Sequence, residues 1–292
     1  MARTTPPRPL DMQLLFPELA AYRKDTVRLH PRPGNPGPRE SSLGGPLLWP
    51  QSVDWPHCDD DHGQFSPGAG ALPLVPVLQL FAADVPELPF PSGTDVLQVL
   101  WCPFEHGYIP QPKLYWRDSS TCVGELTEYP RPAGAEEDYL PDPCVLHPEQ
   151  VVDYPSWDLP DEVAEALKER FDRVGKETGY SYWQHLSVAD GVKVGGYPTW
   201  TQEPFWPDCS ACGQRMAHLL TVNSAEFDGA SWRTWLPVED TPDTGTIWDL
   251  PYEDRRLIQS PPGLMFGDMG GIYLFICQQC PDRPYTHWFD CS

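Results

Sequence analysis

The chain has 292 residues, with 42 Asp and Glu against 20 Lys and Arg, and a formal net charge of −22. This charge repels a phosphate backbone and excludes a nucleic-acid partner from our expectations, while 12 Trp, 12 Tyr and 11 Phe argue against an acidic disordered protein. There is no apolar run of about 18 residues and no apolar signal-peptide core near the N-terminus, so we expect a cytoplasmic protein without a membrane partner.

Residues 1–42 are interpreted as an N-terminal tail and linker. Apolar residues at Leu15, Leu19 and Tyr22 indicate a short helix over Met12–Arg23, interrupted by Pro17. A proline-rich stretch then leads to residue 42.

Residues 43–119 form the first half of an internal repeat. Leu72–Phe81 and Val96–Trp101 are short apolar runs bounded by Pro or Gly, which is typical of buried strands. Lys113–Asp118 alternates between polar and apolar residues and predicts a third strand.

Residues 120–193 are interpreted as a connecting insertion that is acidic and rich in proline. One helix is predicted within it, after Pro160, because Val163, Leu167, Phe171 and Val174 recur at helical spacing. Acidic residues in the first turn and Gly179 near the end are the usual helix boundaries. We expect this helix to pack on a sheet.

Residues 194–292 form the second half and repeat the order of the first. Met216–Val222, Gly271–Ile276 and His287–Asp290 predict three strands. The two halves are related by a shift of 151 positions, under which LGGPLLWPQSVDWPHC (43–58) and VGGYPTWTQEPFWPDC (194–209) agree at seven of sixteen positions.

This repeat predicts a duplicated fold. We expect an α+β, β-rich protein of two pseudo-repeated antiparallel β units, each with a zinc knuckle pair, joined by an insertion with one helix. Trp49 and Trp200, at matching positions, should be buried. The Gly-Gly pairs at 44–45 and 195–196 indicate turns with positive φ or a close backbone approach, because no phosphate-binding motif surrounds them.

The most specific motif is a pair of Cys-x-x-Cys turns in the second half. A gap of two residues lets both thiolates of a tight turn face one ion, and two such turns complete a tetrahedron. We therefore predict a zinc site with four ligands, which are Cys209, Cys212, Cys277 and Cys280. The alternatives are buried free thiols or a redox pair, although a redox pair would stand at a helix start after a strand.

A second set of ligands lies at corresponding places in the first half. Cys58 aligns with Cys209, and Cys102 ends a strand as Cys277 does. The predicted ligands of this second zinc ion are Cys58, His62, Cys102 and His106, and His57 is an alternative to His62. We thus expect two structural zinc ions and no other cofactor.

Neither site has the open position of a catalytic zinc, and we assign no catalytic residue. Cys122, Cys144 and Cys291 belong to neither predicted site, and we interpret them as packing or exposed thiols. The alternative is that Cys144 and His147 bind a metal ion. Asp118 and Asp290 occupy matching places and are interpreted as strand-end caps, the alternative being a carboxylate pair.

With GG-x-P-x-W at Gly195–Trp200, the Cys-x-x-Cys pairs and GIYLFIC in view, the chain resembles the YwqG-like family, and LGGPLLWP and VLQVLWCPFEH resemble its actinobacterial members. The resemblance covers residues 43–292 and implies a duplicated β-rich fold. More distantly, the order of motifs is similar to that of the programmed cell death 2 family, whose members are thought to escort a ribosomal protein. That likeness implies zinc ligation by Cys209, Cys212, Cys277 and Cys280, whereas the Cys/His set of the first half departs from it.

The function predicted from these features is that of a zinc-stabilised soluble interaction protein, a binder or chaperone of a basic polypeptide. The strongly acidic chain suits such a partner, although the same charge also serves solubility. Two alternatives remain open. One is an enzyme with a site in the cleft between the halves, and the other is an immunity-type inhibitor of a basic toxin.

Overall fold

The computed structural model of the chain describes residues 2–60, 62, 71–107, 109–124, 126 and 128–291. The α-helices in this part are α1 (Met12–Leu15), α2 (Asp161–Thr178), α3 (Trp232–Trp235) and α4 (Tyr252–Gln259). None of the described helices is long and apolar enough to span a membrane. The strands are β1 (Lys24–Arg28), β2 (Arg32–Pro33), β3 (Ser42–Leu43), β4 (His57–Cys58), β5 (Leu72–Pro73), β6 (Val75–Phe81), β7 (Val96–Cys102), β8 (Gln111–Arg117), β9 (Cys144–Val145), β10 (Glu149–Asp153), β11 (Lys193–Gly195), β12 (Ala217–Asn223), β13 (Gly271–Ile276) and β14 (Tyr285–Asp290).

The fold is α+β and rich in antiparallel sheet, as predicted. It divides into two compact units, each built from separate stretches of chain. Unit 1 comprises Met1–His30, His147–Gln259 and Gly270–Ser292, and unit 2 comprises Pro31–Leu146 and Ser260–Met269.

Unit 1 contains a six-stranded antiparallel sheet in the order β10-β1-β11-β12-β13-β14. Strand β1 lies between β10 and β11, with Val27 opposite Gln150 on one side and Val194 on the other. Neither β1, which comes from residues 1–42, nor β10, which comes from residues 120–193, was predicted from the sequence. These two segments therefore contribute sheet strands as well as connections.

Unit 2 contains a second six-stranded antiparallel sheet, in the order β2-β9-β3-β6-β7-β8, and a separate hairpin of β4 and β5. Strand β7 is buried along its whole length, which explains why six of its seven residues are apolar, and the seventh, Gln98, donates a hydrogen bond to the Leu48 carbonyl. Strand β6 accommodates Pro76 at a shift in register between Pro76 and Leu78, where a missing N–H costs little.

Helix α2 confirms the predicted helix and belongs to unit 1. It ends at Gly179 with φ of +75°, a conformation that favours glycine. Its buried face carries Leu167, Phe171 and Val174, and Phe171 stacks on Tyr182 with 4.0 Å between ring centroids. The apolar stripe read from the sequence is thus the face that packs inside unit 1.

The Gly-Gly pairs confirm the expectation of close approach. All four glycines have φ between +66° and +90°. A Cβ on Gly44 would lie 2.5 Å from the Asp142 carbonyl oxygen, and a Cβ on Gly196 would lie 2.2 Å from Oδ2 of Asp153. Glycine is therefore required by space as well as by backbone conformation at Gly44 and Gly196, and by backbone conformation at Gly45 and Gly195.

Candidate metal centres

The first candidate centre, the four-cysteine group, consists of Cys209, Cys212, Cys277 and Cys280 in unit 1. Cys209 and Cys212 stand in a turn before β12, closed by a hydrogen bond from the Gly213 N–H to the Cys209 carbonyl. Cys277 follows β13, and Cys280 lies in the turn before β14. Because β12 and β13 pair with Ala217 opposite Ile276, the sheet holds the two turns side by side.

The sulfur atoms in this group converge on one point. The Sγ atoms of Cys209 and Cys280 are 3.9 Å apart, and those of Cys212 and Cys277 are 3.6 Å apart. Disulfide sulfurs would be separated by only about 2.05 Å, so these are free thiols. All four ligand atoms lie within 4.8 Å of one another, so the group could hold a metal ion.

The second candidate centre, the mixed group, consists of Cys58, His62, Cys102 and His106 in unit 2. Its separations are short: His62 Nε2 lies 3.1 Å from Cys102 Sγ and 3.2 Å from His106 Nε2, and Cys58 Sγ lies 3.7 Å from His106 Nε2. Strand β4 presents Cys58, and β7 ends in Cys102. The structure brings His62, and not His57, into the group.

The His106 ring is oriented by a carboxylate outside the mixed group. Its Nδ1 lies 3.3 Å from Oδ2 of Asp60, which leaves Nε2 facing the other three ligand atoms. Carboxylate partners of this kind fix the tautomer and orientation of metal-binding histidines. Asp60 was not identified from the sequence, where it is one of three consecutive aspartates and carries no distinguishing signal.

The electrostatics of both groups favour a cation among the sulfurs. Hydrogen bonds, the largest from the Cys280 backbone N–H, lower the pKa of Cys277 to about 7, whereas interaction with Cys212 raises the pKa of Cys280 to about 12. Burial and the neighbouring Cys58 raise the pKa of Cys102 to about 12, and burial lowers the pKa of His106. Full ionisation of these thiols therefore requires a positive ion, whereas His106 is already neutral at pH 7.

Both groups lie against tryptophans at the matching positions of the repeat. Trp49 and Trp55 pack near Cys58 and Cys102 in unit 2, and Trp200 packs near Cys209 and Cys277 in unit 1. The expectation that Trp49 and Trp200 are buried is confirmed. Apolar surroundings restrict water access to the ligands and lower the local dielectric.

The remaining predicted residues lie outside both groups. Cys122 and Cys144 are buried and Cys291 is partly exposed, and none of the three joins a metal-ligand group among the described residues. Asp118 is a cap, as predicted, whereas Asp290 is a buried carboxylate at the end of β14 that accepts hydrogen bonds from the Tyr273 hydroxyl and from a distant loop. Asp118 accepts from the Ser120 backbone N–H at 2.9 Å, and Asp290 accepts from the Thr201 N–H at 3.0 Å.

Sequence reasoning missed a carboxylate that binds two tryptophans of the second half. Asp158 accepts a hydrogen bond from the Trp200 indole at 2.9 Å and another from the Trp206 indole. In the sequence, only the alignment of Trp200 and Trp206 with Trp49 and Trp55 of the first half drew attention to these tryptophans. Asp158 itself lies in the connecting segment and has no counterpart in the repeat.

No protein-family model matches this chain, and no functionally curated protein shows significant similarity to it. The function proposed below is therefore based on the geometry of the two groups.

Proposed function

We propose that this is a zinc-stabilised binding protein whose partner is a basic polypeptide. The observation that supports a structural metal is the closed set of four protein ligands in each group. Catalytic zinc keeps a position open for water or substrate, whereas four protein ligands complete the tetrahedron of a structural site. Two such sites stabilise a framework on which binding surfaces can be held.

The ligand types and their separations support zinc as the metal. Zinc–sulfur bonds of about 2.3 Å and zinc–nitrogen bonds of about 2.0–2.1 Å give tetrahedral edges of about 3.8 Å between sulfurs, 3.6 Å between sulfur and nitrogen and 3.4 Å between nitrogens. The sulfur pairs at 3.6 and 3.9 Å agree closely, and the pairs involving histidine lie within about 0.5 Å of these edges.

An internal duplication accounts for the two groups together. Strands β6, β7 and β8 follow β3 in one sheet as β12, β13 and β14 follow β11 in the other. Strands β3 and β11 also overlap under the 151-residue shift of the sequence repeat. We infer that an ancestral unit carrying two ligand pairs was copied, and that the copies diverged to four cysteines and to two cysteines with two histidines.

Metal analysis of the full chain, freed of any purification tag, tests the zinc assignment. We expect about two zinc ions per chain, because each ligand set is complete. A ratio of one would remove the mixed group or the four-cysteine group from the proposal, and the variants Cys58→Ser and Cys209→Ser identify which group holds the ion. A ratio of zero contradicts both zinc assignments.

A groove on unit 1 supports the choice of a basic partner. Its volume is about 420 Å³, and its wall includes Trp157, Leu159 and Trp183. Trp157 is 57% exposed and Trp183 is 46% exposed, which is unusual for side chains of this size. We name the surface formed by Ser156, Trp157, Leu159, Asp161, Ala164 and Trp183 the tryptophan groove.

The tryptophan groove has rigid aromatic anchors and an acidic border. Trp183 lies in a π-helical turn, Tyr182–Leu186, and packs edge-on against Phe171 and Tyr182. Asp161, Glu162 and Glu165 on the first turns of α2 are exposed beside it. Tryptophans held in place are common anchors of binding surfaces, and the acids favour Lys or Arg next to the partner's apolar side chain.

Titration with a synthetic peptide of alternating lysine and leucine tests the basic partner, with a glutamate and leucine peptide as the matched probe. We expect the basic peptide alone to bind, and its affinity to fall between about 0.1 M and 1 M salt, as the Debye length shortens from about 10 Å to about 3 Å. Trp183→Ala should weaken binding roughly tenfold or more, since an aromatic anchor is lost. Trp288→Ala, which removes an exposed tryptophan of β14 outside the groove, should have little effect. Equal binding of both peptides would contradict the proposal.

A further inference from the structure

A cavity of about 850 Å³ opens in unit 1 beside the four-cysteine group. Gln278 and Gln279, the two residues between Cys277 and Cys280, form part of its wall. Arg215, which follows the other Cys-x-x-Cys turn, forms another part. The two metal-binding turns therefore hold three polar side chains at the edge of one cavity.

Two cations of the wall face aromatic rings. Lys24 Nζ lies 3.8 Å from the centre of the Tyr197 ring and 5.5 Å from that of Trp206, and Arg215 Cζ lies 5.0 Å from that of Trp206. Neither cation forms an ion pair within 4.0 Å with any carboxylate in the described part of the chain. Two positive charges without a direct ion pair therefore line the same cavity.

The wall also contains the carboxylates Asp158 and Asp161, and Asp158 interacts electrostatically with both cations without forming a direct ion pair with either. Both oxygens of Asp158 accept indole hydrogen bonds, one of which fixes the Trp206 ring over which both cations lie. Asp161 is the first residue of α2, where the helix dipole favours it. Burial lowers the pKa of His218 to about 3, so its imidazole is uncharged.

The two cations lie within electrostatic reach of each other. Desolvation lowers the pKa of Lys24, Asp158 and Asp153 raise it, and the positive charge of Arg215, the smallest of these contributions, lowers it. Both cations lie close to Trp206, so they are at most about 10.5 Å apart, a separation that one anion with its contacts can span. An anion bound between Lys24 and Arg215 would be attracted by both cations.

We propose that this cavity binds an anionic group, a carboxylate or a phosphate, between Lys24 and Arg215, with the Gln278 and Gln279 amides as further donors. Charge-assisted hydrogen bonds to oxyanions are the strongest that lysine and arginine make. The inference goes beyond the proposed function: the cavity shares Trp157, Leu159 and Asp161 with the tryptophan groove, but neither Lys24 nor Arg215 lines the groove. Failure of the basic-peptide test would leave this site intact.

Titration of the zinc-loaded full chain with inorganic phosphate and, separately, with citrate tests the proposal, with sodium chloride keeping the ionic strength constant. The readout is the indole N–H resonance of Trp206, assigned with Trp206→Phe. We expect a saturable shift with at least one anion, and a response to phosphate alone or to citrate alone identifies the group that the site prefers. Lys24→Met and Arg215→Met should each weaken binding about tenfold or more, as expected for loss of a charged hydrogen bond.

Lys168→Met is the matched control, since Lys168 is an exposed lysine of α2 outside the cavity. Its affinity should equal that of the unaltered protein. Lys24 and Arg215 are both exposed, so neither substitution alters the apolar core, and Arg215→Met keeps the test decisive if the Lys24 variant fails to fold. Absence of a saturable shift with either anion, or equal affinity in Arg215→Met and Lys168→Met, would overturn the proposal.

Discussion

Cys212→Ser is expected to release the metal from the four-cysteine group and to lower the melting temperature by roughly 10 °C or more. Three thiolates and a hydroxyl bind zinc much more weakly than four thiolates do, and the binding free energy of a structural zinc contributes directly to folding. Cys212 is exposed, so the substitution leaves the apolar core unchanged. Thermal unfolding followed by circular dichroism, together with the zinc-to-protein ratio, measures both effects.

Cys291→Ser is the control for this experiment, because Cys291 belongs to neither ligand group. Its zinc content and melting temperature should match those of the unaltered protein. A chelator added to the unaltered protein should reproduce the effect of Cys212→Ser. A Cys212→Ser protein that keeps its melting temperature while lacking one zinc would show that the metal has no structural role.

Asp153→Asn is expected to cost about 3–5 kcal/mol of the free energy of unfolding, because it leaves a lysine charge buried without its counter-ion. Lys193 Nζ lies 2.8 Å from Oδ2 of Asp153, and neither side chain is exposed to solvent. The Asp153 carboxylate also accepts from the N–H groups of Ala189 and Tyr197, at 2.7 and 3.1 Å. Denaturant titration at pH 7 measures the loss.

The pH dependence distinguishes a lost charge pair from a general packing defect. Burial already lowers the pKa of Lys193, and removal of Asp153 takes away the interaction that raises it most. The unfolded chain of the variant therefore binds more protons than the folded chain, so its stability should rise as the pH increases toward the ordinary lysine pKa of about 10.4. Asp25→Asn, at an exposed ion pair with Arg23, should change stability by less than about 1 kcal/mol. A loss that stays constant over this pH range would contradict the assignment.

The members of both candidate groups were predictable because each pair is local in the sequence. A spacing of two or three residues places two side chains on one turn, and strong apolar strands fix where those turns meet. Strands β7, β12 and β13 could therefore be predicted from the sequence. The eight residues of the two groups were predicted from their positions at the ends of these strands and in the nearby turns. His62 was predicted from the sequence with His57 as the alternative, and the structure places His62 in the group.

The parts that could not be predicted depend on distant partners. Strand β1, KDTVR, has three charged residues among five, and its buried Arg28 is stabilised by hydrogen bonds to the carbonyl oxygens of Asp190 and Trp235. Asp153 and Lys193 are similarly ordinary polar residues in the sequence and become a buried pair only when β10, β1 and β11 assemble. The cations of the anion-binding cavity also have no local signal. Burial of charge is a tertiary effect that periodicity does not encode.

The interleaved segments of the two units constrain how the chain can fold during synthesis. Strand β1 leaves the ribosome early but has no sheet partner until β10 and β11 follow, more than a hundred residues later. Unit 2 in turn lacks Phe266, which packs against Trp101, until residues 260–269 have emerged. Neither unit can be completed before most of the chain has been translated, and no single cut separates them. Nascent chains should therefore expose unpaired strands for much of translation, a period in which association with chaperones protects against aggregation.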